Sequence, residues 1–250
     1  MKVLVNNLAI EYTDEGRGPV MLLLHGWKDS LHTFDILFPG LSTSFRVIRL
    51  DLPGFGGSEM SKEPWGTGEY VQFVKAFIDK IGISVNVLVG HSFGGRIVVK
   101  GVGIGSLQPR KAVLIGSAGL VKQVATRNQL FKIIAKVGKI ALFLFPSGVK
   151  EELRQKLYRK VGSGDYISAG ALKETFLKIT GEDLSLVAQK INVPTLLIWG
   201  EKDTETPLSD GKRFQGLIFD STLKVIKGAG HFVHQERAED VAALINKFAS

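Results

Sequence analysis

A chain of 250 residues, 44% hydrophobic and 22% charged, has room for one large α/β domain with a real core, or for such a domain carrying an insertion. It has no cysteine, which excludes disulfides and thiolate metal sites. The net charge of +8 is concentrated: between Leu120 and Thr180 stand twelve Lys and Arg against four Asp and Glu, and the rest of the chain is neutral, so nucleic acid is not an expected partner.

The N-terminus, "MKVLVNNLAIEY", has neither a long apolar core nor a small-residue cleavage site, and no run approaches the roughly 18 apolar residues of a membrane span. The expected location is the cytoplasm. Short apolar runs then follow one another: "KVLV", "LAIEY", "VMLLLHG", "RVIRLD", "VNVLVG", "KAVLIG", "VPTLLIWG" and "TLKVIKG". Several are continuous Val/Leu/Ile stretches, the mark of parallel strands buried on both faces. Between them lie stretches of helical spacing. Residues 68–82 put Tyr70, Phe73, Val74, Phe77, Ile78 and Ile81 on one stripe, and residues 236–249 are amphipathic at the same period. Strands alternating with helices predict a doubly wound, mostly parallel α/β sheet of about eight strands, with ligands at the strand C-termini.

The alternation breaks between residues 118 and 181. Stretches 127–145, 150–161 and 169–179 read as helices with no strand among them. The expectation is a helical cap of residues 118–181 inserted between two late strands, over a core of residues 1–117 and 182–250.

"LVGHSFGG", residues 88–95, runs an apolar strand into glycines with Ser92 between Gly90 and Gly94. G-x-S-x-G occurs by chance in Gly-rich chains, but it is also the form of a nucleophile on a strained strand-to-helix turn. Such a serine needs a base and an acid, which on this kind of sheet follow it in the order acid, then His. After the insertion, "TLLIWGEKD" is a buried strand ending in an acidic loop with Asp203, and "LKVIKGAGHFVHQE" delivers His231 behind small residues. Both then emerge on the same sheet edge as Ser92, where His231 would take the serine proton while Asp203 fixes the imidazole tautomer and stabilises the imidazolium. A pair of backbone N–H groups is also needed for the developing oxyanion. "LLLHGW" supplies a strand followed by His25, Gly26 and Trp27, and the residue after Ser92 is Phe93.

With "HGW" (25–27), "DLPGFGGS" (51–58), "GHSFGG" (90–95), "LLIWGEKD" (196–203) and "GAGHF" (228–232) in this order, the chain resembles the α/β-hydrolase superfamily over essentially its full length. The resemblance implies a triad of Ser92, Asp203 and His231, an oxyanion hole from the amides of Trp27 and Phe93, and no cofactor. His25, Gly26, Gly90 and Gly94 are expected to support the site, as is His91.

Competing readings are weaker. His231 and His234, spaced i, i+3, lack an accompanying carboxylate motif, so no metal is expected. "GVGIGS" (101–106) follows a helix-like stretch rather than a strand, and "GFGGS" (54–58) lacks the phosphate-loop lysine. Asp203 has a plain alternative as a solvated loop acid beside Glu201 and Glu205. Residues 128–145 set Lys132, Lys136 and Lys139 opposite an apolar face. That reads as a membrane-surface helix or, preferably, as a cap helix with its lysines in water.

The expected function is a carboxylesterase-like serine hydrolase acting on a small ester or lactone. A carbon–carbon bond hydrolase or perhydrolase of the same fold is an alternative, and a non-catalytic small-molecule receptor is one of another class. Superfamily members with an aspartate nucleophile are disfavoured by Ser92. The carbon–carbon hydrolases typically carry an "HGxGPG"-like loop and a Trp after the catalytic His, where this chain has "HGWKDS" and Phe232.

Overall fold

The computed structural model describes residues 1–121 and 170–250. Eight strands form one sheet: β1 (Lys2–Val5), β2 (Leu8–Gly16), β3 (Val20–Leu24), β4 (Arg46–Leu50), β5 (Val85–His91), β6 (Lys111–Ile115), β7 (Thr195–Gly200) and β8 (Ser221–Ile226), in the order β1-β2-β4-β3-β5-β6-β7-β8. From β4 through β8 every neighbouring pair is parallel, while β1 and β2 form an antiparallel ribbon on one edge. The doubly wound reading holds, and all eight apolar runs are strands.

Burial follows the sequence pattern. Every residue of β3 and β7 is buried, whereas the edge strands β1 and β8 are partly exposed. Along β3, Leu22 and Leu24 point into one apolar layer and Met21 and Leu23 into the other. Ala112 and Leu114 against Val113 and Ile115 divide β6 the same way. Each Val, Leu, Ile or Met side chain among them contributes about 1.5–3 kcal/mol on burial. The first layer is covered by α2 (Thr67–Ile81) and α3 (Phe93–Gly103), the second by α1 (Phe38–Ser42) and α8 (Ala238–Ala249). Helix α2 buries Tyr70, Phe73, Val74 and Phe77 as its periodicity predicts, and Val71 besides.

Strand β3 is followed in sequence by its neighbour on one side, β4, and then by its neighbour on the other, β5. That reversal opens a crevice at the C-terminal ends of β3 and β5. Among the described residues no strand lies between Ile115 and Thr195. The described end of this stretch is a 3₁₀ turn at Gly170–Leu172, then α4 (Lys173–Thr180) and α5 (Ser185–Ala188).

Helix α4 lies over the loops after β3 and β4. Phe176 meets the Trp27 ring at 5.2 Å, the Trp65 amide donates to Thr175 Oγ1 (3.1 Å), and Lys178 Nζ donates to the Pro64 carbonyl (2.7 Å). The described segments on either side of residues 122–169 are tied to the sheet and its helices. Arg96, in the first turns of α3, donates twice to the Glu182 carbonyl (2.8 and 3.0 Å); Lys100 pairs with the Glu182 carboxylate, and Arg213 donates to the Val121 carbonyl (3.1 Å). Burial draws the Arg96 guanidinium down to about 10, against the pull of Glu182 and Asp183.

The helices expected at 127–145 and 150–161, the membrane-surface alternative, and ten of the twelve cations lie outside the described residues. Among the described residues no helix is long and apolar enough to cross a membrane. The other α-helices among the described residues are α6 (Leu208–Leu217) and α7 (Val233–Glu236).

Candidate active site

Strand β5 hands the chain to α3 through Ser92, whose backbone sits at φ 50°, ψ −109°. This is a region side chains rarely occupy, and it is held by a hydrogen bond at each end. The Ser92 amide donates to the Ile115 carbonyl (3.0 Å), and the Ser92 carbonyl accepts from Arg96 and Ala118 (3.2 and 3.0 Å). So sharp a turn brings backbone onto backbone. A Cβ on Gly90 would stand 2.5 Å from the Gly94 carbonyl, and one on Gly94 would overlap the Leu24 carbonyl at the end of β3. Both positions must therefore be glycine.

The loop after β7 carries Asp203, whose side chain is fully buried, and the loop after β8 carries His231, 9% exposed. His231 Nδ1 donates to Asp203 Oδ2 at 2.8 Å. That bond fixes the tautomer and leaves Nε2 with its lone pair. The other carboxylate oxygen, Oδ1, accepts from the amides of Glu205 and Thr206, both at 2.9 Å. The Thr206 hydroxyl completes the cluster, at 2.9 Å from Asp203 Oδ2, 2.9 Å from the Gly116 carbonyl and 3.2 Å from His231 Nδ1. Asp203 is thus not the solvated loop acid of the alternative reading. The exposed neighbour Glu201 instead accepts from the Gly228 amide (2.9 Å).

Gly26 follows β3 and faces the nucleophile turn: a Cβ there would lie 3.0 Å from His91 Nδ1 and 3.4 Å from Ser92 Cβ. Trp27 packs edge-on against Phe93, with ring centres 5.7 Å apart. Among the described residues neither the Trp27 amide nor the Phe93 amide has an acceptor. His25 is wholly buried; its Nδ1 donates to the Gly26 carbonyl (2.7 Å) and its Nε2 accepts from the Leu52 amide (2.9 Å). Burial lowers its pKa, opposed by the Gly26 bond and by Asp51 and Asp29. In the loop after β4, Asp51 accepts from the amides of Leu31 (2.6 Å) and Gly57 (2.7 Å). A carboxylate therefore fills the glycine loop that a phosphate would need.

One residue here, Thr206, escaped the motif analysis. Thr206 stands three places after Asp203 in "DTETP", and an Asp that accepts the amides two and three residues on is the signal that marks such a turn. His91 and His234 stack behind His231, with ring centres of His91 at 4.8 Å from His231 and 4.3 Å from His234. His91 Nε2 donates to the His231 carbonyl (3.2 Å), and His234 Nε2 lies 2.9 Å from Thr33 Oγ1. Burial first, and the neighbouring imidazoles second, hold His91 well below the ordinary histidine range; burial and His231 bring His234 down to about 3. His234 is therefore a packed core residue. Among the described residues no group of three His, Asp or Glu is placed to hold a metal ion.

A mostly parallel eight-stranded sheet whose strand β5 ends in a glycine-flanked serine turn has the architecture of the α/β hydrolases. The chain belongs to the α/β hydrolase family, which its residues 21–244 match. It is 29% identical, over 92% of its length, to the dihydrolipoyllysine-residue acetyltransferase component of the acetoin cleaving system of Pseudomonas putida, and spans 63% of that protein. It is 26% identical to a 2-hydroxy-6-oxononadienedioate/2-hydroxy-6-oxononatrienedioate hydrolase of Comamonas testosteroni, covering 94% of this chain and 89% of that one. The crystal structure of the enol-lactonase from Burkholderia xenovorans LB400 superposes with a TM-score of 0.75 at 22% identity, over 99% of both chains.

Proposed function

We propose that the chain is a serine hydrolase that cleaves small carboxylic esters or lactones through an acyl-enzyme. The observation that carries this reading is the 2.8 Å bond from His231 to Asp203 on the sheet edge where Ser92 occupies its strained turn. Ser92 Oγ attacks the carbonyl carbon as His231 Nε2 takes its proton, and the amides of Trp27 and Phe93 bind the oxyanion. Collapse expels the alkoxide, which leaves with the proton from His231. A water then repeats the sequence on the acyl group, releasing the acid and restoring Ser92. Asp203, buried and acceptor-only, holds the imidazole and stabilises its charged form.

The test pairs a fluorophosphonate probe with turnover of short-chain nitrophenyl esters. Labelling at Ser92 and a fall of about 10⁴-fold or more in kcat for Ser92→Ala are expected. Unchanged labelling of Ser92→Ala would overturn the assignment.

A second reading is favoured by the Comamonas relative, whose name describes cleavage of an oxo-dienoate. Carbon–carbon hydrolysis would use the same serine, histidine and aspartate on a vinylogous diketone. Phe232, and "HGWKDS" in place of a glycine-rich loop, favour the ester. Comparing kcat/KM for a 2-hydroxy-6-oxo-dienoate with that for a nitrophenyl ester separates the two.

A further inference from the structure

We infer that Thr206 is a positioning residue: its side-chain hydroxyl locks the Asp203–His231 pair in working alignment by bridging that pair to the end of β6. The inference rests on the serine-hydrolase reading above and extends it to a fourth side chain.

The hydroxyl has one proton and two lone pairs, and three partners surround it: the Gly116 carbonyl at 2.9 Å, Asp203 Oδ2 at 2.9 Å and His231 Nδ1 at 3.2 Å. Asp203 Oδ2 is the same oxygen that receives the imidazole N–H. The hydroxyl therefore faces the His231–Asp203 bond from the side and ties it to the backbone of a third strand. Gly116 itself has φ 47°, and a Cβ there would lie 3.2 Å from Asp203 Oδ2 and 3.3 Å from His231 Nδ1. The hydroxyl thus takes the polar contact on a wall otherwise made of main chain.

Thr206 is fixed from its own backbone as well. Its amide donates to Asp203 Oδ1 (2.9 Å), and its carbonyl accepts from Trp199 Nε1 (2.8 Å), the indole being wholly buried in β7. The Thr206 amide fixes Oδ1, and the hydroxyl, with one proton for the Gly116 carbonyl or Asp203 Oδ2, keeps its lone pairs facing the imidazole N–H. A buried network of this kind narrows the orientations open to its members. Solvent competes little for these contacts, since the Asp203 side chain is 0% exposed and Thr206 only 9%.

The experiment compares Thr206→Val, which keeps the shape and removes the hydroxyl, with Thr206→Ser, which keeps the hydroxyl and removes a methyl. Thermal unfolding checks that each folds; should Val fail to fold, Thr206→Ala takes its place. On a nitrophenyl ester, Val is expected to lower kcat by about 10- to 100-fold with KM within two-fold, while Ser stays within about three-fold of the parent. The acid limb of the pH–rate profile should move in Val and return in Ser.

A readout free of turnover is the NMR titration of the His231 ring proton, expected to change in Val and recover in Ser. Parental kcat and titration in Val, or Ser as impaired as Val, would overturn the inference. Failure of the parent reading is separate: it shows as esterase activity and probe labelling that survive Ser92→Ala.

Discussion

Ser92 holds φ 50° without being glycine, and a side chain in that region costs on the order of 1–3 kcal/mol. The cost belongs to the Cβ and not to the hydroxyl, so Ser92→Ala removes the nucleophile and keeps the strain, whereas Ser92→Gly removes both. Urea denaturation should find Ser92→Gly more stable than Ser92→Ala by about 1 kcal/mol, with neither variant active. Equal midpoints would show that the turn is not strained. Gly94→Ala works in the opposite sense. Its new Cβ meets the Leu24 carbonyl, which belongs to a central strand and cannot yield, so the variant should lose about 3 kcal/mol or more.

At the scale of elements, what the sequence disclosed depended on where the information lies. All eight strands were legible because each is a compact apolar run bounded by turn residues. Helix α2 was legible because its stripe recurs every three to four residues. Helix α6 was not, for it contains Gly211 and Gly216 and buries few large side chains. It is set by tertiary contact, with Gly211 against the Trp199 indole, where a Cβ would sit 2.8 Å from the ring. The placement of Ser92, Asp203 and His231 on the sheet edge was readable because each follows a strand within a local motif. The stack of His91 on His231 and His234, and the reach of Thr206 to Gly116 across 90 residues, leave no local trace. Nor does the Arg96 clamp on Glu182. Arg96→Met keeps the stem packed and deletes both donors, and should cost about 2 kcal/mol in a urea titration. A midpoint unchanged from the parent would mean the clamp contributes nothing.

At the scale of the whole molecule, the buried imidazoles make stability depend on pH. His234 stays neutral in the fold down to about pH 3, whereas an imidazole in the unfolded chain takes a proton near pH 6.5. The folded state therefore binds fewer protons than the unfolded state between those limits. The contribution is complete above about pH 7, declines as the pH falls below 6.5, and is exhausted near 3. At pH 5 the loss attributable to His234 is about 2 kcal/mol. Urea titrations at pH 7.5 and 5.0 should show that difference shrinking in His234→Leu; an identical pH dependence in parent and variant would sink the account.

The gap between β6 and β7 also bears on synthesis. Strand β6 ends at Ile115 and its outer neighbour begins at Thr195. A ribosome adding roughly 5–20 residues per second needs on the order of 4–16 s to cross that interval. Throughout it, Ala112 to Ile115, all fully buried in the finished protein, offer an unpaired apolar edge to any other nascent chain. That interval thus carries a biosynthetic hazard: a chain stopped at residue 121 should aggregate where the full-length one does not, and translation should be the step at which this protein most depends on chaperones.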